Sequence, residues 1–207
     1  MVSTPLESIV NISKIKSLKK SFYERNTQVV AFELIGKILI LKQNGSVLSG
    51  KIVETEAYFG AQDPASHAYR GTTSRNQVMF GPAGFSYVYF TYGNHHCLNF
   101  VTEREDIAGA VLIRAVEPIS GVETMKKNRG FAQHKQLTNG PGKLTQAFGI
   151  TREHSGFDLT RGNSFCIAEG KEEELLHVQV STRIGISRAK HMPYRFYVLG
   201  NPFISVC

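Results

Sequence analysis

Two glutamates and a histidine lie where a predicted strand meets a loop, and packing alone does not explain their residue types. Glu54 and Glu56 belong to the β-branched and aromatic segment 52–58, which ends at Tyr58 and is followed nine residues later by His67. Alternate residues of a strand share a face, so we expect Glu54, Glu56 and Tyr58 to point the same way. Neighbouring carboxylates raise each other's pKa. Such a pair is tolerated when a cation compensates it or when catalysis requires a tuned base.

Further candidate residues interrupt the apolar strands that follow. Tyr87 and Tyr89 alternate along one predicted strand and share a face, although aromatic residues in that pattern are also common in cores. Asn99 lies between two apolar residues of the next strand, where it either faces a ligand or bonds the neighbouring backbone. Arg114 interrupts a third strand, where a buried cation requires a partner. The glutamate pair is the candidate partner, either as a structural ion pair or within a catalytic site.

The elements that must position these residues are mostly strands. Asn26 or Thr27 caps a helix that ends before Gly36, and Asn44-Gly45 is a strong hairpin turn. The patterns predict strands at 37–41, 47–58, 85–90, 95–101, 110–116, 165–168, 178–186 and 194–198, and helices at 26–34, 120–127 and 142–148. The Gly-, Pro- and Ser-rich segment 59–84 is predicted to be a long functional loop. We therefore predict an α+β fold with a curved, mostly antiparallel sheet and flanking helices. It forms a single β-rich domain at 21–207, after a polar basic lead-in at 1–20.

The composition favours some partners and excludes others. Lysine and arginine number 24 against 17 aspartates and glutamates, a formal net charge of +7, which favours a polyanionic partner although it also aids solubility. Three separated cysteines without a CxxC pair indicate reduced intracellular thiols, and neither a membrane span nor a secretory signal is expected. His95-His96-Cys97 lacks further ligands at zinc spacing, and no phosphate-binding glycine motif occurs. We expect no metal and no cofactor.

Six segments, in chain order, resemble the alkyladenine (3-methyladenine) DNA glycosylase family. The resemblance runs from about residue 18 to residue 206, and it is carried by GKIVETEAY at 50–58, YVYFTYG at 87–93, CLN at 97–99, LIRAVEP at 112–118, NGPGKL at 139–144 and RFYV at 195–198. It implies an enzyme that flips a damaged purine out of double-stranded DNA and hydrolyses its N-glycosidic bond, without lyase activity. The implied lesions are 3-methyladenine, 7-methylguanine, hypoxanthine and ethenoadenine.

The same resemblance implies roles for individual residues. Glu56 matches the general base, which activates a water toward C1′ of the deoxyribose, and Arg114 matches the residue that positions this water. The other matched positions contact the base or the duplex: Tyr58, His67 and Tyr89 wall the flipped base, Asn99 crowds the 2-amino group of guanine, and Tyr92 wedges into the duplex.

Arg75 and Lys143 are our further candidates for contacts with DNA phosphates. Lys143 follows a Gly-Pro-Gly turn at a predicted helix start, where backbone N–H groups favour anions, although a solvated lysine is the alternative. We expect a monomer that acts in the bacterial cytoplasm at the nucleoid, or in the nucleus of a eukaryote.

Two other functions are open. A non-catalytic nucleic-acid-binding β-domain explains the charge but leaves Glu56 and Arg114 without a purpose. A glycoside hydrolase with Glu54 and Glu56 as its pair does not suit so basic a chain.

Overall fold

The computed structural model describes residues 16–91, 93–162, 164–170 and 175–205. Within these ranges the strands are β1 (Ile38–Gln43), β2 (Ser46–Phe59), β3 (Ser86–Thr91), β4 (His95–Val101), β5 (Gly109–Ser120), β6 (Phe165–Ala168), β7 (Val178–Ser181) and β8 (Arg195–Val198). The α-helices there are α1 (Lys20–Tyr23), α2 (Thr27–Glu33), α3 (Val122–Asn128) and α4 (Pro141–Phe148). Short 3₁₀ turns occur at Gln77–Phe80, His134–Gln136, Arg152–His154 and Leu159–Arg161. Most of the predicted lead-in, residues 1–15, lies outside the described residues.

All the strands belong to one curled antiparallel sheet. Its order is β3-β4-β5-β2-β1-β6, and β8 pairs with both β2 and β7. The long strand β2 changes neighbours along its length, because its first half pairs with β1 while Glu54–Glu56 pair with Arg195–Tyr197 of β8. The predicted α+β class, with a curved and mostly antiparallel sheet flanked by helices, is confirmed.

Local signals explain the helix and hairpin that precede β2. The Asn26 side chain accepts hydrogen bonds from the backbone N–H groups of Gln28 and Val29, which caps α2 as predicted. Asn44 and Gly45 both have positive φ, at 50° and 73°, the backbone that a tight two-residue hairpin requires. These two signals set the position at which β2 begins.

The sheet separates the main core from a second face. Leu98 and Phe100 of β4 and Ile113 of β5 pack into the large core that also contains residues from α2, α3 and α4. Because side chains alternate along a strand, their neighbours Asn99 and Leu112 point to the opposite face, where they line a pocket. The loop predicted at 59–84 covers part of this second face. None of the helices in the described ranges is long and apolar enough to cross a membrane.

One strand was predicted too long. The predicted strand at 178–186 ends at Ser181 in the structure, and residues 182–188 leave the sheet. Gly185, with φ of 74°, has a backbone conformation that a strand does not contain. The segment is therefore free to approach the second face of the sheet.

Candidate active site

Arg114 lies in a β-bulge of β5. Glu54 pairs with Ala115 and Thr55 pairs with Ile113, so Arg114 has no partner in the ladder between β2 and β5. Its side chain still follows the alternation of the strand: Leu112 and Arg114 line the pocket, whereas Ile113 between them packs into the core. Strand periodicity therefore predicts the face on which Arg114 lies, but not the bulge.

Arg114 joins both glutamates, as their residue types suggested. Its Nε donates to Oε1 of Glu54 at 2.9 Å, and its guanidinium approaches Oε1 of Glu56 at 3.1 Å. Both carboxylates are 0% exposed, and Arg114 is only 6% exposed. Burial opposes the charge of Arg114, but Glu56 and Glu54 outweigh it and raise the pKa of the guanidinium above its usual value. The cation therefore remains fixed between the two anions.

Glu54 is enclosed by structural partners. Besides Arg114, its Oε1 accepts from Arg195 Nε at 2.7 Å and from Ser205 Oγ at 2.7 Å. Its Oε2 accepts from the backbone N–H of Ser205 at 2.6 Å. Glu54 is absent from the lining of the pocket described below. This carboxylate connects β2, β8 and the C-terminal segment, and it accepts four hydrogen bonds.

Glu56 has a different environment, with one side toward the pocket wall. Its Oε2 accepts from the Tyr58 hydroxyl at 2.7 Å, and its Oε1 accepts from the backbone N–H of Ile184 at 2.7 Å. Burial and the negative charge of Glu56 raise the pKa of Tyr58 well above its usual value, so the phenol stays protonated and donates. A carboxylate has about four lone-pair sites. The ion pair with Arg114 and these two hydrogen bonds leave part of the acceptor capacity of Glu56 unused.

A pocket of about 590 Å³ lies above these groups. Six residues that the sequence singled out line it together: Tyr58, His67, Tyr87, Tyr89, Asn99 and Arg114. Glu56 does not line the pocket; it lies behind the pocket wall and contacts two of these residues, Tyr58 and Arg114. Residues from four strands and a loop therefore converge on one cavity.

Aromatic rings form one wall of the pocket. The His67 and Tyr89 ring centroids are 4.5 Å apart, and those of Tyr87 and Tyr89 are 5.4 Å apart. His67 Nδ1 lies 3.1 Å from the Tyr87 hydroxyl. Partial burial and the charge of Arg75 lower the pKa of His67, while burial raises that of Tyr87 to about 12 and that of Tyr89 further. The wall is therefore uncharged at neutral pH and offers flat, polarisable surfaces.

Asn99 forms part of the pocket floor. It is 4% exposed, and its Nδ2 donates to the backbone carbonyls of Tyr87 at 3.1 Å and Cys97 at 3.4 Å. These bonds hold the amide in one orientation. Any group that enters the pocket meets a rigid Asn99 side chain.

Two of the predicted DNA-contacting residues, Arg75 and Lys143, lie at the protein surface. Arg75 is exposed at the pocket rim, with its guanidinium carbon 5.3 Å from the Tyr89 ring centroid. Lys143 is exposed in the first turn of α4, and its Nζ donates to Asn139 Oδ1 at 2.9 Å. Pro141, which begins this helix, lines the pocket. Tyr92 lies outside the described residues.

Residues 182–188 are the part of the site that sequence reasoning missed. Ile184, Gly185 and Arg188 line the pocket, and the Ile184 N–H binds Glu56. The prediction of one strand over 178–186 concealed this segment, although a glycine inside an apparent strand is a signal for a break.

A metal-based reaction has no ligand cluster to support it in the described residues. No group of three or more His, Cys, Asp or Glu residues in these ranges is arranged to hold a metal ion. His95, His96 and Cys97 are spread over both faces of β4, because His96 contacts the Phe90 ring while Cys97 lines the pocket.

An aromatic pocket over a buried carboxylate suits hydrolysis of the bond between a base and its sugar, and the protein is a DNA glycosylase, a hydrolase of N-glycosyl bonds that acts in DNA repair. The family model described as methylpurine-DNA glycosylase matches residues 21–202, and the chain belongs to this family.

Curated relatives agree over nearly their full lengths. A protein of Carboxydothermus hydrogenoformans is 48% identical over 188 residues, 91% of this chain and 98% of its own. Proteins of Chlorobaculum tepidum (46% over 192 residues, 92% and 91%) and Methanoculleus marisnigri (45% over 191 residues, 91% and 98%) are similar to the same extent. Each bears the name "Putative 3-methyladenine DNA glycosylase". The resemblance seen in the sequence is confirmed, and so are the general activity and the DNA substrate.

Proposed function

We propose that the protein is a monofunctional glycosylase that flips damaged purines out of double-stranded DNA and hydrolyses their N-glycosidic bonds with a water activated by Glu56. The proposed lesions are 3-methyladenine, 7-methylguanine, hypoxanthine and ethenoadenine. The product is an abasic site. The observation that carries the proposal is a fully buried carboxylate, paired with Arg114, immediately behind an aromatic pocket.

The pocket has the properties that an extruded purine needs. Tyr58, His67 and Tyr89 line it, and their rings provide stacking surfaces. Alkylated purines that carry a positive charge gain about 0.5–2 kcal/mol from such rings by cation–π attraction. Lesions also pair and stack poorly, so their extrusion costs less of the few kcal/mol that flipping requires. Asn99 supplies a rigid obstacle to the 2-amino group of guanine.

Glu56 accepts two hydrogen bonds and has acceptor capacity left for the nucleophilic water. The water oxygen bonds to C1′ while Glu56 takes its proton, and the electron pair of the C1′–N9 bond leaves with the base. A cationic alkylated base becomes neutral on departure and needs no proton, whereas hypoxanthine or ethenoadenine departs as an anion and takes a proton from solvent. Arg114, 3.1 Å from Glu56 Oε1, fixes the position of the carboxylate.

The absence of an amine supports hydrolysis without strand cleavage. Lyase activity of the Schiff-base type needs an amine that attacks C1′. In the described part of the chain no lysine lines the pocket. A water is thus the nucleophile in this proposal, and the DNA strand remains intact.

The two alternatives fit the site less well. A glycoside hydrolase would need a second carboxylate facing the substrate, but Glu54 is occupied by Arg114, Arg195 and Ser205. A non-catalytic binding domain gives no reason for the partners of Glu56. We further propose that one copy of the chain acts on DNA, in the bacterial cytoplasm or the eukaryotic nucleus.

Duplexes with a single ethenoadenine or hypoxanthine test the proposal. After incubation with the protein, we expect strand breakage only when hot alkali is added. Glu56→Gln should bind the same duplex as tightly and release no base. An intact strand after alkali treatment with wild-type protein would reject the activity on these lesions, and full turnover by Glu56→Gln would reject Glu56 as the base.

A further inference from the structure

We propose that Arg183 is a positioning residue of this active site: paired with Asp63 behind the pocket, it holds Tyr58 and the Ile184 N–H in place around Glu56. The inference rests on the proposed role of Glu56 as the base. Neither Arg183 nor Asp63 attracted attention in the sequence.

Arg183 and Asp63 form a buried, two-pronged ion pair. The two terminal nitrogens of Arg183 lie 2.6 Å and 2.8 Å from the two oxygens of Asp63. Arg183 is 5% exposed and Asp63 is 2% exposed. Parallel N–H···O bonds of this kind fix direction as well as distance, and lysine cannot reproduce them. The pair therefore imposes a geometry on whatever it joins.

The pair joins three parts of the site that are distant in the chain. Arg183 also donates to the backbone carbonyl of Ala57 in β2 at 2.9 Å. Asp63 accepts from the backbone N–H groups of Phe59 and Ala65, both at 3.1 Å, and so shapes the start of the loop that carries His67. One guanidinium thus connects β2, the pocket loop and the segment 182–188.

Arg183 also supports the pocket wall from behind. Its guanidinium carbon lies 4.5 Å from the Tyr58 ring centroid and 5.3 Å from that of Tyr194. Tyr58 lines the pocket and Arg183 does not, so the guanidinium occupies the far side of the ring. Arg183 at the ring face and Glu56 at the hydroxyl together fix the orientation of Tyr58. A ring fixed in advance loses little freedom when a base stacks on it.

The residue after Arg183 contacts Glu56, the proposed general base. Ile184 donates its N–H to Glu56 Oε1 at 2.7 Å, and its position follows from the anchored guanidinium next to it. Both hydrogen-bond donors to Glu56, the Tyr58 hydroxyl and the Ile184 N–H, therefore depend on Arg183. Small displacements in such a constellation are costly, since a shift of about 1 Å can lower a rate about 100-fold.

Arg183→Lys tests the inference, because lysine keeps the charge opposite Asp63 and loses the fork and the flat stacking face. Arg25→Lys is the matched control: Arg25 also pairs with a carboxylate, Glu33, at 2.7 Å and also lies over a ring, that of Phe22, at 4.8 Å. Neither Arg25 nor Glu33 lines the pocket. Each variant is measured for its Tm, its Kd for an ethenoadenine duplex and its single-turnover excision rate with saturating protein.

We expect Arg183→Lys to lower the single-turnover rate roughly 10–100-fold while Kd stays within about twofold, and Arg25→Lys to change neither. A rate equal to that of Arg25→Lys would overturn the inference. If the rate and the affinity for DNA fall by the same factor, the inference is also overturned, because loss of an ion pair that only stabilises the fold would weaken both.

A second variant covers the case in which Arg183→Lys does not fold. Asp63→Asn keeps the shape and one acceptor oxygen, and the same separation of rate from Kd is expected; unchanged rate would overturn the inference. Glu56→Gln is measured in parallel. If wild-type protein releases no base, the proposed function fails. If wild-type protein releases the base, Glu56→Gln does not, and both Arg183→Lys and Asp63→Asn release it at the wild-type rate, the inference fails and the proposed function stands.

Discussion

Replacement of Glu54 or Glu56 by the isosteric glutamine should affect stability and excision rate in opposite ways: Glu54→Gln should mainly lower stability, and Glu56→Gln should mainly lower the rate. Glu54→Gln and Glu56→Gln each replace one carboxylate oxygen by an NH₂ group at a site that is 0% exposed. At Glu54 the new NH₂ must face other donors, because its four hydrogen bonds come from Arg114, Arg195 and both polar groups of Ser205. Within the described residues, the change also leaves Arg195 without a carboxylate partner.

The expected cost of Glu54→Gln follows from these contacts. Removal of one partner from a buried ion pair costs about 3–5 kcal/mol. For a chain of this size, at roughly 2–4 °C per kcal/mol, that lowers Tm by roughly 6–20 °C. Glu56→Gln should cost about 1–3 kcal/mol, since Arg114 keeps Glu54 as its counterion and only hydrogen bonds are impaired.

Activity should follow the reverse order. Loss of a general base lowers the rate by a factor of about 100–10,000 or more. Glu56→Gln should therefore lose less stability than Glu54→Gln and yet be inactive on an ethenoadenine duplex. Glu54→Gln, assayed well below its Tm, should retain measurable excision. Thermal unfolding followed by circular dichroism gives Tm, and single-turnover kinetics with alkaline cleavage give the rate.

The result that would refute this reasoning is a stable Glu54→Gln protein. If its Tm stays within about 2 °C of wild type, the partners of Glu54 do not impose the cost of a buried ion pair. A Glu56→Gln protein that unfolds as early as Glu54→Gln would equally contradict the division between a structural and a catalytic carboxylate.

Three further predictions concern specificity, DNA binding and pH. Asn99→Ala should release guanine from undamaged duplexes, measured by alkaline cleavage; a product level equal to that of wild type would contradict the role of this side chain. Lys143→Ala should reduce the slope of log Kd against log salt by about 1 while the saturated excision rate is unchanged; an unchanged slope would remove Lys143 from the DNA contacts. Burial lowers the pKa of His154, whose Nδ1 accepts from the Thr151 N–H. Its stabilising contribution is therefore complete above its unfolded pKa of about 6.5 and is lost as the pH falls through the lower folded value. Tm should fall from pH 7 to pH 5, and less steeply in His154→Asn; parallel curves would contradict the assignment.

Features encoded by neighbouring residues were predictable from the sequence. Asn26 caps α2, and the alternation of Leu98, Asn99 and Phe100 separates core from pocket, as strand periodicity predicts. The family resemblance indicated which residues would meet, and five of them do line one cavity. Their roles remain predictions that the variants above would test.

Contacts between distant segments needed the folded chain. Arg114 meets Glu54 across 60 positions, and the β-bulge that leaves Arg114 without a ladder partner is not visible in the alternation of residue types. Arg183 meets Asp63 across 120 positions, and Ser205 meets Glu54 across 151.

The sequence by itself therefore determined the strands, the class of the fold and the residue types of the site. The tertiary structure decided which glutamate is enclosed by Arg195 and Ser205 and which bonds the pocket residues Tyr58 and Ile184. The reason is physical: propensity and periodicity act over a few residues, whereas the environment of a buried charge depends on the partners that packing brings to it from elsewhere in the chain.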